Sequence, residues 1–261
     1  MVVANSKKVN MALNNLLSRE TYLVTQANDL ARAFGNLTAL QHKVLDFCFS
    51  YVQVNDDKRK IYRSNLLDII HHLGLNASGK SYIQVANALR SLNLKTAMYL
   101  KIMDNGVSGI LMTHLFDYIK VLENGQFTFR FSEDIVPYVF QLKKNFYSFK
   151  LAELSVVKSK HTLVLMKLWN SNGYGTWNPA NNQFPNATIE GSLEDWEAWF
   201  LGSDEHGQPK KWTAARFRQQ VLTKAINELN CLYPEILYQL HVLKTGRKVV
   251  GYRLDIHSIS N

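Results

Sequence analysis

The chain states one order of elements twice, and that repetition limits its possible folds more than any single motif does. In the first half, Thr38 caps a helix from Ala39 to about Val52, with Leu40, Val44, Leu45, Phe47 and Cys48 along one side. After the polar turn Asn55-Asp56-Asp57, Ile61–Tyr62 reads as a short strand. Ser64 caps a second helix through Leu66, Leu67, Ile69, Ile70 and Leu73, which stops at Gly74. A third helix starts near Gly79–Ser81 and reaches about Asn93. Two β-rich runs, 96–103 and 109–116, flank the hairpin turn Asp104-Asn105-Gly106. A further pair runs from Ile119 to Phe131 around Asn124–Gly125, and a short helix over 133–142 closes the half.

The second half follows suit. A helix spans 158–170 with Leu163, Val164, Leu165, Met166, Leu168 and Trp169. An Asn/Gly/Pro-rich loop covers 171–186, and 187–190 reads as a strand. The helix 193–201 carries Trp196, Trp199 and Phe200 and ends at Gly202. Thr213 caps a long helix to about Asn230, and β runs over 238–243 and 249–256 flank the basic tip Lys244-Thr245-Gly246-Arg247-Lys248. Each half is thus helix, helix ending in Leu-Gly, turn, helix, β-hairpin. That is the order of a winged helix-turn-helix, whose third helix enters a major groove while the hairpin lies on the backbone. The expected fold class is α+β: tandem winged helix-turn-helix domains, each a three-helix core with a β-hairpin wing. Residues 1–20 form a flexible N-terminal segment, 21–142 the first domain and 143–261 the second, which is the main DNA-binding domain.

Charge agrees with this reading. The net charge of +9 and pI near 9.4 favour polyanions, either nucleic acid or an anionic membrane surface, with an ordinary basic protein as the bland alternative. Between Thr188 and Glu205 there are six acidic residues and no basic one; from His206 onward nine basic residues face three acidic ones. Such segregation suits a surface that meets phosphates on one side; a solvated charged face is the other reading.

Candidate DNA contacts follow from helical spacing. On 213–230, Phe217, Val221, Leu222, Ala225 and Leu229 make the buried stripe. The opposite face carries Arg216, Gln219, Gln220, Thr223 and Asn227, types that bond base edges. Lys210, Lys211 and Thr213 sit where phosphates meet the helix N-terminus, and Lys244, Arg247 and Lys248 sit on the wing. Arg218 projects nearer the apolar side, where it packs or caps. In the first half Tyr82, Val85, Ala86, Leu89 and Leu92 form the inner stripe, while Lys80, Ser81, Gln84, Asn87 and Ser91 belong to the other side. Tyr82 and Trp212 each begin a third helix and are assigned to packing, not base stacking.

Other chemistry fails to assemble. Gly74-Leu75-Asn76-Ala77-Ser78-Gly79-Lys80-Ser81 matches the phosphate-loop pattern in full, but a helix precedes it where a buried strand is needed, so a P-loop nucleotide-dependent enzyme is set aside. His71 and His72 lack the spacing of a nickase metal pair. The other histidines are scattered, and the acids Glu194, Asp195 and Glu197 have no second carboxylate group for a two-metal site. No enzyme, metal or cofactor is expected. Cys48 and Cys231 read as reduced, buried thiols of a cytoplasmic protein. No apolar stretch calls for secretion or membrane spanning.

The sequence resembles the iteron-binding replication initiators of theta-replicating plasmids, the Rep family with two winged-helix domains. In the first half the resemblance rests on Leu37-Thr38, Leu73-Gly74, Gly79-Lys80-Ser81-Tyr82 and Ala88-Leu89. In the second it rests on Phe149-Lys150-Leu151, Leu154, Lys158-Ser159-Lys160, Arg216-Phe217-Arg218, Val221-Leu222, Ala225, Glu228-Leu229-Asn230 and the Gly246-Arg247-Lys248 tip. It implies binding to repeated double-stranded origin sites (iterons), two recognition helices in successive major grooves, melting of an adjacent A·T-rich segment and recruitment of host helicase machinery. It also implies a homodimer, formed through the first domain, in equilibrium with monomer. The nearest rival is a winged-helix transcriptional repressor without initiator activity. The loop 171–186 and the Trp-rich helix depart from the commoner pattern.

Overall fold

A computed structural model describes residues 23–27, 35–53, 56–105, 107–135, 146–174, 184–202 and 210–259. The chain divides into two compact units that interleave in sequence: 1–25, 40–142 and 150–156 form one, and 26–39, 143–149 and 157–261 the other. The sequence places the boundary between the two domains at 142/143; the compact division gives 150–156 to the first unit and 26–39 to the second.

The first unit contains α1 (Ala39–Phe49), β2 (Tyr62–Asn65), α2 (Leu66–His72), α3 (Gly79–Lys95), β3 (Ala97–Asp104), β4 (Val107–His114), β5 (Phe116–Val121) and β6 (Gln126–Phe131). Strands β1 (Leu23–Ala27) and β7 (Phe146–Lys150) fall where the chain passes from one unit to the other, and α4 (Leu151–Val156) belongs to the first. Helix α1 stops at Phe49, short of Val52, and Tyr51 and Val52 close it with turn bonds to the carbonyls of Cys48 and Phe49. Asn65, not Ser64, caps α2. The strand carries the extended backbone one residue past Ser64, and Asn65 and Asp68 complete a reciprocal capping box. Ser64 instead bonds the Tyr51 hydroxyl at 2.6 Å. Leu73 ends the helix and Gly74 takes φ +65°, the left-handed turn that glycine adopts without penalty. Only the 3₁₀ turn Glu133–Ile135 of the expected closing helix lies among the described residues.

Strand β6 alternates: Phe127, Phe129 and Phe131 are buried, while Thr128 and Arg130 between them are only half-buried. Those rings meet Tyr62, Phe116 and Phe49 at centroid distances of 5.1–5.3 Å and form the core against α1–α3.

The second unit contains α5 (Lys160–Asn172), β8 (Gly173–Tyr174), β9 (Asn186–Ser192), α6 (Leu193–Leu201), a third helix, and strands β10 (Ile236–Thr245) and β11 (Lys248–Ser258). Its sheet order is β10-β11-β9-β8. The long helix, α7, begins as Ala214–Phe217, passes through a π turn Arg218–Leu222 and continues as Thr223–Leu232. The buried indoles keep their polar edges satisfied: Trp169 Nε1 donates to the Pro185 carbonyl at 2.7 Å and Trp196 Nε1 to the Tyr252 carbonyl at 2.9 Å.

The two units repeat one topology with a difference that was hidden in the sequence. Order β5-β6-β2 in the first matches β10-β11-β9 in the second. The hairpin equivalent to the second wing is therefore β5–β6. The hairpin β3–β4, which directly follows the third helix and looked like the wing, is a separate two-stranded sheet inserted ahead of it.

Candidate nucleic-acid interface

Helix α7 is built to hold one face inward. Phe217, Val221, Leu222, Ala225 and Leu229 are fully buried. A strict four-residue spacing drifts by about 40° per step on an α-helix, or about 120° from Phe217 to Leu229. The π turn between Arg218 and Leu222 adds one residue to a turn and takes back about 100° of that drift, so the stripe stays on the core. The opposite side is open: Arg216, Gln219, Thr223 and Asn227 are exposed and Gln220 is half-exposed. Arg218 is exposed as well, at the first residue of the π turn.

The start of α7 is fixed by three groups. The Thr213 hydroxyl accepts the Arg216 N–H at 3.4 Å, as the N-cap expected from sequence. The Tyr252 hydroxyl donates to the Ala214 carbonyl at 2.7 Å, tying β11 to the first turn. The carboxylate of Glu197, buried on α6, accepts the Trp212 N–H at 2.7 Å. The acids of α6 thus have local structural tasks. Asp195 completes a capping box with Ser192, and Glu194 pairs with Lys211 at 3.0 Å. That last pair is solvent-exposed and leaves Lys211 partly neutralised, which the reading of segregated charge did not foresee.

The wing projects. β9 pairs with β11 only from Ala187↔Ile256 to Ser192↔Gly251, whereas β10 and β11 remain paired out to Thr245↔Lys248. Residues 243–250 therefore run past the third strand as a two-stranded ribbon that turns at Gly246, φ +59°, with Lys244, Arg247 and Lys248 exposed at its end. The equivalent hairpin of the first unit does not project. β2 flanks β6 as far as Asn65↔Gln126, and the Gly125 carbonyl accepts the Leu66 N–H at 2.9 Å, so that tip lies against the start of α2. It carries Glu123 and no basic residue.

On α3, Lys80, Gln84 and Asn87 are exposed as the spacing expects. Ser81 is not: it is 7% exposed, and its hydroxyl lies 3.1 Å from that of Ser78, the N-cap. The inner stripe is Ser81, Val85, Ala88, Leu89 and Leu92, with Tyr82 and Ala86 at its margin. The phosphate-loop match dissolves into a helix stop at Gly74 and a helix start at Gly79, with α2 in front where a strand would be required. Cys48 is buried, but Cys231 is exposed in the last turn of α7, opposite the side that packs. Among the described residues no group of His, Cys, Asp and Glu could hold a metal ion, and no helix is long and apolar enough to cross a membrane.

Spacing along the chain could not find one cationic group. Lys160 Nζ donates to the Gly35 carbonyl at 3.0 Å and Lys210 Nζ to the Asn36 side chain at 3.3 Å, so two lysines 50 residues apart meet at adjacent residues. Burial and the charge of Lys210 push the Lys160 ammonium below its ordinary value. Burial, aided by Lys160 and Lys224, takes the neighbouring His161 down to about 4, so it is neutral near pH 7.

Comparison with known proteins identifies the fold and the family. The family model described as Initiator Replication protein, WH1, matches residues 23–170, and Initiator Rep protein, WH2, matches 192–256. The crystal structure of Pi initiator protein in complex with iteron DNA is similar in fold, with TM-score 0.69 at 16% identity over 91% of this chain and 97% of that one. Domains 2 and 3 of RctB align with TM-score 0.46 at 12% identity, over 91% and 86%. No curated protein matches the chain in sequence. The chain belongs to the initiator replication protein family and carries its two winged-helix domains, WH1 and WH2, in order.

Proposed function

We propose that this initiator binds repeated double-stranded sites, iterons, in a plasmid origin, and acts by binding and deforming DNA without catalysis. The observation that carries the reading is the second unit's pairing of an open α7 face with a projecting basic ribbon. Arg216, Gln219, Gln220 and Thr223 are suited to base edges, and Lys244, Arg247 and Lys248 to phosphates. Lys210, Lys211 and Thr213 stand at the helix start beside them. In the first unit, Lys80, Gln84 and Asn87 on α3 offer a second, less charged reader; Ser81 supports that helix from inside. Opening of an adjacent A·T-rich segment, recruitment of host helicase and a monomer–homodimer equilibrium belong to the same proposal, as does action in the bacterial cytoplasm. The Pi structure, solved on iteron DNA, supports it by its likeness in fold.

The test is selection from a random duplex pool at near-physiological salt. One site of about two helical turns with two information-rich blocks is expected. Replacing Arg216 and Gln220 by Ala should relax preference by about 1–3 kcal/mol per lost base contact. Recovery of no motif, with affinity vanishing as salt rises, would leave only a non-specific polyanion binder. An inverted operator without direct repeats would favour the repressor.

A further inference from the structure

The guanidinium carbon of Arg216 sits 4.1 Å from the centre of the Trp212 ring. Trp212 is the last residue before the N-cap of α7, and it is half-buried. Its backbone is held by the Glu197 carboxylate, which is 2% exposed and accepts the Trp212 N–H at 2.7 Å. Phe217, next in sequence to Arg216, is fully buried and fixes the other end of the first turn. A chain of contacts therefore runs from the core of α6 through the Trp212 main chain and indole to the Arg216 head group. No carboxylate is paired with Arg216 in the described structure, so the indole is what orients it.

We propose that Trp212 is a positioning residue for base recognition: its indole holds the Arg216 guanidinium in advance for a guanine at the position met by the first turn of α7. This rests on the reading that α7 meets base edges. The physical case has two parts. A free arginine side chain loses rotamer freedom when it is fixed, and a ring that fixes it before binding removes part of that cost. The five N–H donors of a guanidinium lie in its plane, so a contact over the ring face leaves them free for partners beside the ring. A planar fork of that kind matches O6 and N7 of guanine, the two acceptors of a G·C pair in the major groove. The attraction of the cation to the indole face holds the arrangement. The sequence reading gave Trp212 to core packing; its half-exposed ring under Arg216 gives it this second task.

The experiment uses the full chain and the site selected from random duplexes, with a set of single-base variants of that site. Trp212→Ala should lower discrimination at one G·C position by about 3- to 10-fold and leave the salt slope unchanged. Trp212→Phe, which keeps a ring face, should stay within about 2-fold of the parent. Arg216→Lys keeps the charge but loses the fork, and should lower discrimination at the same position by about 10-fold or more. In an Arg216→Ala background, Trp212→Ala should add nothing. A loss spread evenly over all sequences, a further loss in the Arg216→Ala background, or unchanged discrimination in Trp212→Ala would each overturn the proposal while leaving the site-binding reading intact. A parent protein that selects no site would overturn both.

Discussion

Glu228 on α7 accepts the Thr162 hydroxyl of α5 at 2.6 Å, and the same carboxylate caps the approach to α5 by accepting the backbone N–H groups of Lys158 at 2.6 Å and Ser159 at 3.1 Å. One side chain thus satisfies donors at the start of one helix while fixing the rotation of another. Thr162 is fully buried, so its hydroxyl loses water on folding and depends on this acceptor. We expect Glu228→Ala to destabilise the second unit by about 2–3 kcal/mol, because hydrogen bonds to a charged acceptor exceed neutral ones. Thr162→Val should cost about 1 kcal/mol. Denaturant unfolding checks both, and equal stability of Glu228→Ala and parent would show that the latch is dispensable.

His161 sets a second expectation. Burial, then the charges of Lys160 and Lys224, lower its folded value to about 4 from 6.5. The unfolded chain therefore binds a proton more readily than the native one. Stability from this group is complete above about 6.5 and falls as pH drops from there towards 4. His161→Gln should flatten the pH–stability profile in that window and leave the region below 4 to the carboxylates. An unchanged slope between pH 6 and 5 would place the titration elsewhere.

How much of this was legible depended on range. Helix stops at Leu73-Gly74 and Leu201-Gly202, the cap Thr213 and the inner stripe of α7 are local, periodic signals, and they survive in the structure. The π turn was invisible, because a π turn and an α turn can bury the same Phe217 and Val221. Ser64 and Asn65 both suit a cap, and only the pairing of β2 with β6 decides between them. Which hairpin of the first unit is the wing is likewise non-local: β3–β4 has the stronger turn signal, yet β5–β6 joins β2. Ser81, expected on the outer side of α3, turns inward beside the Ser78 cap, and the Lys160–Lys210 meeting needs Gly35 and Asn36 to bring it about.

The two Leu-Gly stops look alike in sequence but should respond differently to substitution. Gly74 has φ +65° with open space where a Cβ would stand, so Gly74→Ala should cost only the backbone penalty, about 1 kcal/mol. At Gly202, φ is +68° and a Cβ would come within 2.4–2.7 Å of Asn36 side-chain and backbone atoms. Gly202→Ala should therefore cost about 3 kcal/mol or more, from strain and overlap together. Thermal unfolding of the two variants compares them directly; similar losses would mean that the Asn36 segment yields freely.

The projecting ribbon makes the sharpest contrast between the units. Arg247 and Lys248 stand at the end of strands that β9 no longer flanks, whereas the tip at Glu123 is bonded back to α2 through Gly125 and Leu66. A wing that meets only phosphates adds affinity without sequence information, and each contact contributes about 0.9 to the slope of log K against log salt. Replacing Arg247 and Lys248 by Ala should therefore weaken binding to every duplex alike and flatten that slope by about 1–2. Glu123→Ala should leave both slope and affinity nearly unchanged. Titrations of a selected site and an unrelated duplex at several salt concentrations separate the cases. A change in base preference on altering Arg247 would mean that the ribbon enters a groove, and a large effect at Glu123 would mean that the first tip also lies on the DNA.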